Sequence, residues 1–88
     1  MEVEDVLGSV LKVLGERGFE VLVKKVEDGY VLEASKGTRK INVNLTQVKE
    51  DVKLSLDRGR ELGLTVLKCE KGVEKCIERF TRLIEEVA

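Results

Sequence analysis

Residues 47–62, QVKEDVKLSLDRGREL, read in two ways that lead to two different folds. As a helix, Val48, Val52, Leu56 and Leu62 share one face, and Gly59 costs up to about 1 kcal/mol relative to Ala. As strands, Val52, Leu54 and Leu56 alternate, Arg58-Gly59-Arg60 turns the chain, and Leu62, Leu64 and Val66 alternate again. A cap at Asn44 or Thr46, the opening TQVKED and the ending RELG favour the helix, followed by a buried strand from Leu64 to Cys69. The expected fold is therefore α+β in the order helix, three-stranded antiparallel meander, helix, strand, helix (αβββαβα). The alternative is a helix, a five-stranded antiparallel meander and a helix.

Upstream of this segment, GYVLEASKGTRKINVNL (residues 29–45) is a β-hairpin of two period-2 runs, Tyr30 to Ser35 and Arg39 to Leu45. A Lys36-Gly37 turn sets Tyr30 opposite Val43, Leu32 opposite Ile41 and Glu33 opposite Lys40. An Asp28-Gly29 turn joins it to a strand from Phe19 to Val26, with Lys24 against Glu33 and Val23 against Ala34. One face then carries Phe19, Val21, Val23, Tyr30, Leu32, Ala34, Ile41, Val43 and Leu45. The other mixes Leu22, Val26 and Val31 with Lys24, Glu33, Ser35, Lys40, Asn42 and Asn44.

Helical periodicity marks both ends of the chain. Residues 2–17 repeat Val3, Val6, Leu7, Val10, Leu11, Val13 and Leu14, with Glu2, Glu4 and Asp5 in the first turn and Gly18 as a stop. Residues 72–87 place Val73, Cys76, Ile77, Phe80, Leu83, Ile84 and Val87 at three-and-four spacing. That stripe reads as core, since two heptads are too few for a coiled coil.

With 88 residues the chain makes one domain able to bury roughly 60 to 65% of its unfolded surface. Charged residues are 38% of it, with 16 Lys and Arg against 17 Asp and Glu, so the net charge of −1 argues against a strong general polyanion binder. Lys and Glu enrichment with few amides, Gln occurring once, is a thermophile-like composition. Neither a signal peptide nor a bilayer-length apolar run is evident, so a soluble, cytoplasmic protein without membrane contact is expected. In that compartment Cys69 and Cys76 are expected to be reduced, buried structural thiols, a disulfide being the hyperthermophile alternative.

Chemistry is sparsely represented. Histidine is absent, so neither cysteine has an imidazole partner and two cysteines alone cannot complete a zinc site. No Gly-rich phosphate loop is present, and no cofactor, metal or small-molecule ligand is indicated. What remains is the mixed sheet face. Lys24, Glu33 and Lys40 are expected to form a cross-strand charge ladder beside Asn42 and Asn44, while Lys36, Arg39 and Lys40 at the hairpin tip, with Lys49, Lys53, Arg58 and Arg60, supply a basic rim.

The phrase LKVLGERGFEVLVKK, a three-stranded meander, a helix and then LTVLKC resembles the restriction-endonuclease-like nuclease core, including Holliday-junction resolvases, over roughly residues 5–69. That family holds Mg²⁺ with an acid near the second strand, where Asp28 stands, and a Glu/Asp-x-Lys on the third. Here the third strand reads Asn42-Val43-Asn44, so the resemblance implies a degenerate member that binds or pairs rather than cuts. An αβββα start also resembles a double-stranded-RNA-binding domain, although the 47–51 segment is charge-balanced where that family has a lysine-rich turn.

Three functions follow. The first is a non-catalytic interaction module, self-associating as a homodimer and binding a protein partner through the mixed sheet face or the C-terminal helix. The second is nucleic-acid binding through the hairpin tip and the basic residues of 49–60. The third is a metal nuclease using Asp28 and Glu33.

Overall fold

In the computed structural model, which describes residues 1–87, the segment 47–62 contains no helix. The elements are α1 (Val3–Glu16), β1 (Glu20–Val26), β2 (Gly29–Lys36), β3 (Arg39–Val48), β4 (Asp51–Asp57), β5 (Leu64–Cys69) and α2 (Glu74–Glu85). The five strands pair antiparallel in chain order, so the sheet is a plain meander with β1 and β5 at its edges. Over β4 the strand reading wins because of Leu54. In a helix it would lie across from Val52 and Leu56, whereas in a strand all three point inward, and all three are fully buried. Leu62, by contrast, lies in the β4–β5 loop, and the expected buried strand at Leu64 is an edge strand with Leu64 and Val66 exposed.

Gln47 explains why the turn into β4 is hard to see. Val48 pairs with Asp51 across a Lys49-Glu50 turn in which Lys49 takes φ 58°, a left-handed conformation more usual for Gly or Asn. The Gln47 side-chain amide holds that turn. The two hydrogens of its Nε2 are shared among the carbonyls of Lys49 (2.9 Å), Asp51 (3.1 Å) and Met1 (2.8 Å), and its Oε1 accepts the Val3 N–H at 2.7 Å. One side chain thus replaces a turn glycine and also caps the start of α1.

The register of both hairpins differs from expectation by two residues. The loops are Glu27-Asp28 and Gly37-Thr38, so Leu32 faces Val43 rather than Ile41, and Lys24 faces Val31 rather than Glu33. Gly29 is the first residue of β2 instead of a turn residue, and a Cβ there would stand 1.7 Å from the Leu45 carbonyl oxygen. A glycine is required by that close approach. Because side chains alternate with a period of two, the even shift leaves every residue on its expected face.

Both helices pack on one side of the sheet. α1 lies over β1, β2 and β3, α2 lies against β5, and the helices touch each other. The apolar stripes of both helices close over Leu32, Ala34, Ile41, Val43, Leu45, Val52, Leu54, Leu56 and Leu67, with no charged side chain in the buried core among the described residues. The α1 exit is a Schellman cap: Gly18 takes φ 83°, its N–H reaches the Gly15 carbonyl at 3.1 Å, and the Phe19 N–H reaches the Leu14 carbonyl at 3.0 Å. The chain therefore turns straight from α1 into β1.

Cys69 and Cys76 are not free thiols. They form a disulfide with a Cα–Cα separation of 5.3 Å, joining the end of β5 to the first turn of α2. Cys69 points inward beside Val52 and Cys76 lies on the buried stripe of α2, so the same periodicity that buries each cysteine brings them together.

Candidate functional site

The side of the sheet away from the helices has no cover among the described residues. Every side chain on it follows from strand parity: Glu20, Leu22, Lys24 and Val26 on β1; Val31, Glu33 and Ser35 on β2; Lys40, Asn42, Asn44 and Thr46 on β3; Lys53, Ser55 and Asp57 on β4; Leu64, Val66 and Lys68 on β5. Apart from Val31, the three inner strands present polar and charged groups. The two edge strands add the most exposed apolar ones, Leu22 exposed by 72%, Leu64 by 67% and Val66 by 54%, beside Glu20, Lys24 and Lys68. A shallow depression beside the β1 edge is lined by Glu20, Leu22, Glu33, Ser35, Lys40 and Asn42.

The expected charge ladder is replaced by a different row. Glu33 lies between Leu22 and Asn42, with Lys24 and Lys40 diagonal to it, and among the described residues it makes no ion pair within 4 Å. Lys53 faces Lys68 across β4 and β5, and Lys68 leans to Glu70 at 3.8 Å. Lysines and carboxylates are interspersed on this face, so no one-signed field builds up over it.

The basic rim divides. Lys36, Arg39, Lys40, Arg58 and Arg60 lie at the end of the sheet that holds the β2–β3 tip and the β4–β5 loop, whereas Lys49 lies in the turn at the opposite end. Lys36 and Arg39 also fall on the helix side of the sheet, and the Lys36 ammonium sits 5.9 Å from the centre of the Phe19 ring. Arg58 is a structural tie. Its side chain is only 8% exposed, and it donates to the Leu83 carbonyl at 3.4 Å and pairs with Glu86 at 3.2 Å, fastening the β4–β5 loop to the last turn of α2. Lys24, Lys40, Asn42, Asn44 and Lys53 remain together on the open face.

Among the described residues no three His, Cys, Asp or Glu side chains gather to hold a metal ion, and no helix is long and apolar enough to cross a membrane. The ionisation of Tyr30 is displaced. Partial desolvation, together with a 3.1 Å hydrogen bond to the Glu4 carboxylate and the charge on that carboxylate, raises its pKa above the usual 10.0. That contact ties β2 to α1 on the covered side, away from the open face. The residue that sequence reasoning missed is Gln47, whose uniqueness in the chain was the only available signal. No known protein family, curated protein or solved structure matches the chain.

Proposed function

We propose that this chain is a small non-catalytic interaction module that self-associates and meets protein partners through the uncovered side of its sheet. The observation that carries this reading is Leu22, a large apolar side chain 72% exposed on an edge strand, at the rim of a face that neither helix covers. The C-terminal helix is a poorer candidate for the contact, because Cys76, Phe80 and Ile84 on its apolar stripe are committed to the core. Sedimentation velocity over a wide range of protein concentration tests the reading. Wild type shifts from monomer to dimer as concentration rises, and Leu22→Glu stays monomeric at concentrations where wild type is dimeric. A wild type that sediments as a monomer throughout refutes self-association.

A further inference from the structure

We infer that β1 pairs antiparallel with β1 of a second copy of this chain, about a two-fold axis that passes through Leu22. The inference rests on the reading of the sheet edge as a protein contact and names what docks there.

Backbone direction decides which residues are available. The Asp28 carbonyl accepts the Gln47 N–H at 2.7 Å across β2 and β3. Backbone groups alternate along a strand, so Gly29, Val31, Glu33 and Ser35 address β1 instead, where they meet Val26, Lys24, Leu22 and Glu20. Val21, Val23 and Lys25 are left with N–H and C=O groups pointing off the sheet, and β1 has no strand on that side among the described residues. Unused ladder groups of this kind are a template for another strand.

Side chains then select both the partner and the register. With Leu22 on the axis, Leu22 meets the partner's Leu22, Glu20 meets the partner's Lys24, and Lys24 meets the partner's Glu20. Val21 and the partner's Val23 exchange backbone hydrogen bonds, and the symmetry repeats the exchange. A slip of two residues one way sets Leu22 against the partner's Lys24, and the other way sets it against the partner's Glu20. A slip of one residue turns the open face of one copy towards the helix side of the other. One register alone matches apolar to apolar and charge to opposite charge.

Lysines on an edge strand ordinarily discourage pairing. Lys25, however, is folded back, with its ammonium 4.8 Å from the centre of the Tyr30 ring and 3.4 Å from the Gly29 carbonyl oxygen. Lys24 rejects a strand that lacks a carboxylate at the matching position and accepts one that has it, which this chain supplies as Glu20. The other edge offers no such match. Lys68 is the only charged side chain of β5, and no carboxylate on that strand meets it. A two-fold of this kind stands perpendicular to the sheet, so the helices of both copies lie on the same side and the two open faces merge into one.

Charge exchange tests the seam. By sedimentation velocity, Glu20→Lys and Lys24→Glu each weaken the dimer roughly tenfold to a hundredfold, because two attractive contacts become two repulsive ones. Mixing the two variants in equal amounts restores wild-type association, since each lysine of one then meets a glutamate of the other. The double variant carrying both changes also recovers. Thermal melts close to wild type establish that each variant is folded. Dimers indifferent to both single reversals, or single variants that stay apart when mixed, overturn the seam while leaving self-association standing. A wild type monomeric at every concentration overturns both readings.

Discussion

Reducing the Cys69–Cys76 disulfide isolates the contribution of one covalent tie, because the bond closes a short loop whose length is fixed by a sequence separation of 7. The loop-closure relation gives about 2.5 kcal/mol of stabilisation for a loop of that size, through the entropy removed from the unfolded chain. For a domain this small, 1 kcal/mol corresponds to roughly 4 to 8 °C of melting temperature, so the cross-link is worth about 10 to 20 °C. The assay is a pair of circular-dichroism melts, with and without a phosphine reductant, on wild type and on Cys76→Ala. Reductant lowers the wild-type midpoint to near that of Cys76→Ala and leaves the variant itself unchanged. Thiol titration of the unfolded, unreduced protein finds no free thiol in wild type. A midpoint unmoved by reductant, or two titratable thiols before reduction, refutes the reasoning.

Two further outcomes follow from side-chain contacts. Gln47→Ala removes the amide from the Val3 N–H, the Met1 carbonyl and the two turn carbonyls of Lys49 and Asp51, and costs about 2 to 3 kcal/mol. Urea unfolding should show the midpoint falling with an unchanged slope, and a loss below about 0.5 kcal/mol would mean that water replaces the amide without penalty. Tyr30 is the only tyrosine and the chain has no tryptophan, so phenolate absorbance reports this one group. Its titration lies above pH 10.0 in the folded protein and moves back towards that value in Glu4→Gln. The neutral phenol is the form the fold favours. Its contribution to stability is therefore complete below the unfolded pKa and is lost as pH rises through the raised folded value. Identical titrations in wild type and Glu4→Gln would show that the Glu4 contact does not hold in solution.

The amino-acid sequence by itself determined which residues face which side. The helix-side set from Val21 to Leu45, on which Val23 alone stays 45% exposed, the apolar stripes of α1 and α2 and the Gly18 stop all follow from local periodicity and backbone preference, and they survive even where the strand register does not. Open-face residues such as Lys24, Glu33, Asn42 and Asn44 were legible for the same reason. Their neighbours were not, because a two-residue slip preserves the face and changes every cross-strand pair. Only the tertiary structure decided whether residues 47–62 are helix or strand. The turn at Lys49 carries no glycine, and the amide that holds it reaches from Gln47 to Met1 and Val3 as well as to its own loop. Tertiary packing also turned Arg58 from a surface charge into a tie on α2 and joined Cys69 to Cys76 across the end of the sheet. Both helices went to the same side because that is where the inward faces of all five strands lie, and the other side was left open with its edges bare. Those outcomes depend on contacts between elements far apart in the chain or on backbone geometry without a residue signature, and local pattern encodes neither.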